Sequence, residues 1–190
     1  MKIPKDNLTP EQKRTKYFQI FALIVIICGF FYYVKSDNEN RDKLLNKNTE
    51  TTVGKIIGNS TYKTTHNYVE YKVEGKKFET RRSSSRIFNI GEFYEIKYSK
   101  SNPEVSEVNY TKPVIFDRNE FEQIIGIISK TYENERLSVL SFRYNYKNKE
   151  HERDIILEKI GKIKEGNKIK ILVNKKKPKI SYLEKQFKAE

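Results

Sequence analysis

Residues 69–80, VEYKVEGKKFET, decide the fold. Val69, Tyr71 and Val73 alternate with Glu70, Lys72 and Glu74, the period of two that puts one set of side chains on a buried face and the other in water. Gly75 supplies a turn and 78–81 leads out again, so the segment predicts a β-hairpin with one apolar face. The polar run 81–86 follows, its three serines reading as a solvated loop. Gly91 then opens a strand in which Tyr94, Ile96 and Tyr98 alternate with Phe93, Glu95 and Lys97. The turn at 99–103 and a short return strand carrying Val105 and Val108 complete a unit near Tyr110.

The same order of events returns downstream. Gly126-Ile127-Ile128 echoes 54–57 at an offset of 72, and Leu140, Phe142, Tyr144 and Tyr146 alternate with Ser141, Arg143 and Asn145, placing Tyr144 opposite Tyr71 at an offset of 73. Asn148 stands for Gly75, a reasonable exchange because asparagine tolerates the left-handed backbone better than other non-glycine residues. Gly166 matches Gly91, residues Ile169, Ile171 and Val173 match Tyr94, Ile96 and Tyr98, and Pro178 matches Pro103, all at 75. Two unrelated five-stranded β units would share some of this pattern. The narrow drift of the offsets, with turn residues falling on turn residues, favours an internal duplication.

A glycine in the first strand, Y-x-V before a turn glycine, then G-x-x-Y-x-I-x-Y followed five residues on by proline resembles a widespread bacterial domain of unknown function found beside membrane helices. The positions here are Gly54, Tyr71 with Val73, Gly75, Gly91 with Tyr94, Ile96 and Tyr98, and Pro103. Residues 51–110 carry the resemblance, and the second unit is a degraded copy with Asn148 and Val173 in place of the glycine and tyrosine. The resemblance implies a small β fold at a membrane and brings no agreed activity.

Upstream of the β units lies 17–34, YFQIFALIVIICGFFYYV, uncharged and with Gln19 as its one strongly polar side chain. As a helix it would span roughly 27 Å, close to a bilayer's hydrocarbon thickness, with Tyr17, Tyr32 and Tyr33 at the interfaces. A cleaved signal peptide would need small residues before a cleavage point, where this run ends in Phe30-Phe31-Tyr32-Tyr33, and a core helix would need a polar face. A retained span is the expectation. Lysine and arginine are slightly denser before it, around Lys13, Arg14 and Lys16, than after it, which favours a cytoplasmic N-terminus and an extracytoplasmic β domain.

The expected organisation is therefore a polar basic leader at 1–16, a transmembrane helix at 17–34, a stalk at 35–50, a first β unit at 51–110, a joint at 111–121 and a second β unit at 122–190. The fold class is all-β: an N-terminal transmembrane helix followed by two tandem small antiparallel β units, barrel- or sandwich-like. The stalk holds little that could enter a core, though Glu39 and Lys43 at i,i+4 spacing would let the membrane helix continue into it.

Chemistry is sparse. The one cysteine, Cys28, lies inside the apolar run, leaving no disulfide or thiolate for the β units. His66 and His151 fall in different units without a second ligand at metal spacing, and the serines at 83–85 lack a G-x-S-x-G turn and any histidine expected near them. No phosphate-binding glycine loop occurs. Neither a cofactor nor catalysis is expected. Most of the positive excess of the β units lies in the second, and two basic clusters stand out, Arg81-Arg82 with Arg86 and Lys175-Lys176-Lys177 with Lys179. The lysines occupy the turn matching 99–103, where the first unit has only Lys100, and are the candidate contact surface for an anionic partner. A solvated tip is the plainer reading of such a run. The expected role is a single-pass, non-catalytic binding or scaffolding module of a bacterial cell envelope, meeting another envelope protein or an anionic polymer. The alternative is a basic nucleic-acid or anionic-polymer binder, although nucleic acid fits poorly with tyrosines that alternate into the core.

Overall fold

The structure, a computed structural model, describes residues 9–187. The first part of the expected leader, 1–8, and the last residues of the second unit, 188–190, lie outside it. Among the described residues one α-helix, α1 (Pro10–Lys47), leads into ten strands: β1 (Thr49–Tyr62), β2 (Thr64–Val73), β3 (Lys76–Ser84), β4 (Phe93–Ser99), β5 (Ser106–Val114), β6 (Phe121–Glu133), β7 (Ser138–Tyr146), β8 (Lys149–Leu157), β9 (Lys168–Asn174) and β10 (Ser181–Leu183). The protein is thus mostly β with one apolar helix.

Helix α1 starts earlier and ends later than its apolar run. Thr9 is the N-cap, its hydroxyl accepting from Gln12 N while the Gln12 side chain accepts from Thr9 N, and Pro10 occupies the first turn where a missing N–H costs nothing. Residues 10–16 of the expected leader are therefore helical. At the other end the helix runs through most of the stalk, with Lys35 and Glu39 paired at 3.9 Å one turn apart. Its length is roughly 57 Å. The apolar window is long and apolar enough to cross a membrane, and none of it is buried against the sheets. Contact with the β region begins only near the C-terminus, where Leu45 is buried, Arg41 donates to Ser106 O at 3.0 Å, and Asn48 O accepts from Lys100 N.

The strands form two antiparallel five-stranded sheets, ordered β3-β2-β1-β4-β5 and β10-β9-β6-β7-β8. Read from its other edge, the second sheet repeats the first with every strand number raised by five. The agreement extends to irregular positions. A bulge falls after Ile56 in β1 and after Ile128 in β6. Ile56 exchanges backbone bonds with Glu92 O and Gly91 N, and Ile128 with Asn167 O and Gly166 N. The two-residue hairpin turns use Glu74-Gly75 and Lys147-Asn148, all four at positive φ. Tyr71 donates to Pro103 O at 2.6 Å and Tyr144 to Pro178 O at 2.5 Å. One feature differs: Tyr98 on β4 reaches Glu50, whereas the second unit reaches Glu122 from Tyr146 on β7.

Each sheet has its own cluster of buried side chains. Ile56, Val69, Tyr71, Tyr94, Ile96 and Val108 are central to the first, and Ile128, Leu140, Phe142, Tyr144, Ile155 and Ile171 to the second. The first cluster also takes in Ile180 and Tyr182 from the second unit, so the two are packed together. Strand β5 continues to Val114, inside the segment read as the joint. Its alternation is hidden in the sequence because the register with β4 jumps from Pro113 to Asn109, leaving 110–112 as a bulge, and Pro113 is tolerated on an edge strand. Strand β3 likewise runs to Ser84, so Arg81, Arg82, Ser83 and Ser84 lie in a strand where a loop was expected, with Arg81 and Arg82 on opposite faces. Arg82 turns inward to Ser106 O on β5 and ties the two edges of the first sheet together.

Candidate functional site at the junction of the two β units

The units follow one another head to tail. The β4–β5 loop of the first unit rests on the end of α1, and its counterpart, the β9–β10 loop of the second, rests on the β3–β4 connection of the first, where Asn89 Nδ2 donates to Lys179 O at 3.0 Å and Ile180 enters the first core. The β3–β4 connection is shaped by a turn that both units make. In the second, Asn167 closes it by accepting from Lys164 N at 2.9 Å. In the first, Glu92 does so, with Oε1 accepting from Asn89 N at 2.9 Å and Asn89 Nδ2 at 2.6 Å. The carboxylate leaves a second oxygen free for a long-range partner.

That partner is Arg153 on β8, which stands where β3 has Thr80. Its guanidinium meets Glu92 Oε2 at 2.6 Å, both side chains are buried, the Tyr94 hydroxyl donates to the same oxygen, and the Phe88 ring lies 5.8 Å from the guanidinium carbon. Burial by itself lowers the basicity of Arg153. The adjacent Glu92 charge, with Tyr94 and Tyr182, more than reverses this and holds the group above its ordinary range. Burial, reinforced by the Glu92 charge, pushes the Tyr94 and Tyr182 hydroxyls well up. The pair is a bolt between the units.

The candidate lysines divide around this bolt. Lys175 Nζ donates to Asn119 O at 2.8 Å and Lys176 lies 3.5 Å from Glu120, so both tie the loop to the short 3-10 turn preceding β6. The loop itself is held by Asn174 Oδ1, which accepts from Lys176 N and Lys177 N. Lys177 and Lys179 go elsewhere. They border a groove of about 520 Å³ whose apolar lining is Ile87, Phe88, Ile90 and Ile180. Ile87 and Ile90 are about half exposed. Sequence reading passed over both isoleucines, although the offset of 75 holds the signal: their counterparts are Lys162 and Glu165.

The other sequence candidates disperse. Arg81 lies over the Tyr68 ring and Arg86 bridges Asp154 at 2.8 Å, so with Arg82 turned inward the first basic cluster is not one surface. Burial, and then the charge of Arg41, lower the basicity of Arg82. His151 stacks on Tyr144. His66 does approach a serine, its Nδ1 standing 3.2 Å from Ser83 Oγ, because the two are cross-strand neighbours on β2 and β3. The pair is exposed on an open sheet and no carboxylate is bonded to the ring among the described residues. No group of three or more histidine, cysteine or acidic side chains suited to a metal occurs among the described residues. Comparison with models of known protein families and with curated proteins finds no match for this chain.

Proposed function

We propose that the protein is a single-pass, non-catalytic binding or scaffolding module of a bacterial cell envelope, with its N-terminus in the cytoplasm and two tandem, partly closed β barrels outside. The observation that carries this reading is the wholly exposed apolar stretch of α1. In water so large an uncovered apolar surface is unfavourable, and a bilayer is the environment that covers it evenly on all sides. The helical stalk beyond Val34 then holds the β units clear of the membrane. The resemblance to the membrane-adjacent domain of unknown function belongs to the same proposal, as does duplication as the origin of the matched strands. Absence of catalysis belongs to the same proposal: His151 stacks on Tyr144, and the one histidine that approaches a serine, His66 beside Ser83, has no carboxylate bonded to its ring among the described residues.

Protease added to intact spheroplasts tests the topology. The expected result is digestion of the β units with α1 retained in the membrane fraction. Protection until lysis would reverse the orientation, and a mature N-terminus beyond residue 34 would remove the anchor.

A further inference from the structure

We propose that the groove between the β3–β4 connection and the β9–β10 loop binds a small anionic amphiphile, a single aliphatic chain ending in a carboxylate or phosphate. This deepens the binding role and rests on it, without depending on membrane orientation. The two matched units supply an internal control for what the fold itself requires. On the floor, Ile87 and Ile90 stand where the second unit has Lys162 and Glu165, so the connection folds without isoleucine at either place. On the rim, Lys177 and Lys179 stand where the first unit has Asn102 and Glu104, so the loop folds without lysine there. All four departures fall on one groove, apolar on one wall and cationic on the other.

The cations are unspent. Lys175 and Lys176 have acceptors, whereas the ammonium groups of Lys177 and Lys179 have none among the described residues. Lys177 Nζ lies 3.0 Å from where a Cβ on Gly91 would stand, so this glycine, at φ +99°, leaves the space the ammonium occupies. A volume of about 520 Å³ is within the range of small-molecule sites, roughly 300–1,000 Å³, which favour boundaries between structural units. The aliphatic chain would cover Ile87 and Ile90 while the anionic head meets the two ammonium groups. The source is an amphiphile free in the aqueous phase. Helix α1 continues from Val34 to Lys47, about 20 Å, before the first unit begins, which sets the β units apart from the apolar run and its lipid.

The test uses the full chain in lipid nanodiscs with photoactivatable medium-chain probes bearing a carboxylate, a phosphate or a quaternary ammonium head, and maps cross-links by mass spectrometry. All three probes partition into the bilayer and label α1, which serves as the reference within each sample. The anionic probes should also label 87–90 and 177–180, and the cationic probe should not. Lys177→Ser with Lys179→Ser should lower the junction-to-α1 ratio about ten-fold, as should the graft Ile87→Lys with Ile90→Glu, each with an unchanged melting transition. Competition by unlabelled decanoate against decyl phosphate separates the two head groups. A junction ratio independent of probe charge, or unaltered by both double variants, overturns the proposal. So does absence of junction labelling by every probe while an acidic, leucine-bearing peptide shifts the Ile87 and Ile90 methyl resonances, which assigns the groove to a protein partner. Failure here leaves the protease result untouched, so the two readings fall separately.

Discussion

Breaking the Glu92–Arg153 bolt should be costly in an asymmetric way. Glu92→Gln leaves Arg153 a buried cation facing a neutral amide, whose one oxygen must also serve Asn89, and the Tyr94 hydroxyl at 3.5 Å, and a buried charge left without its counter-charge costs about 3–5 kcal/mol. Arg153→Met leaves Glu92 with Asn89 N, Asn89 Nδ2 and the Tyr94 hydroxyl still donating to it, so the loss is nearer that of one charge-assisted hydrogen bond, about 1.5–3 kcal/mol. The double variant removes both charges and should cost no more than Glu92→Gln alone, because a neutral pair has nothing left uncompensated. The measurement is urea unfolding of the full chain in micelles. Near-ultraviolet circular dichroism of the tyrosines is the natural probe, the chain having no tryptophan. Coupling of two contacting groups appears as non-additivity. Additive costs, with the double variant equal to the sum of the singles, would refute the view that this pair acts as a unit across the junction.

Three further outcomes follow from the geometry. Tyr71→Phe and Tyr144→Phe should each cost about 1 kcal/mol in the same unfolding assay and by similar amounts, because each removes one hydroxyl bond to an equivalent proline carbonyl. Unequal effects would argue against equivalent positions. Gly54→Ala should destabilise far more than Gly126→Ala, since the new Cβ would lie 2.6 Å from Ile96 Cγ1 and 2.7 Å from Val69 Cγ1, against 3.2 Å from Ile171 Cδ1. Equal melting temperatures for the two variants would contradict this packing. Tyr110, raised to about 12 by burial, with Tyr94 and Tyr182 raised well above the ordinary value, should keep their protons in the folded state after the unfolded chain has begun to lose them. Their contribution to stability is whole below pH about 10 and is lost as pH rises through the folded values, so alkaline titration of tyrosinate absorbance should show ionisation coinciding with unfolding. Complete ionisation with near-ultraviolet dichroism intact would count against their burial.

How much of this was legible in advance can be followed residue by residue. The alternation of Val69, Tyr71 and Val73, and of Tyr94, Ile96 and Tyr98, is a statement about neighbours two positions apart, and those side chains are buried as the period requires. The turn at Gly75 and its replacement by Asn148 depend on local backbone sterics, so sequence by itself determined them, and the same holds for an apolar helix with no polar face. What tertiary structure decided is everything that depends on how one curved sheet meets the next. Arg82 and Arg153 look like other surface cations in a lysine-rich chain, yet one turns to the Ser106 carbonyl and the other crosses 61 residues of sequence to Glu92. The four lysines of the β9–β10 loop are equivalent as a charge run, and only the docking of that loop on Asn89 sends two of them to Asn119 and Glu120 and leaves two at the groove. Periodicity reports which face a side chain occupies. It holds no information about which distant loop will cover that face, because that choice is made by packing two cores together rather than by the local preferences of either chain segment.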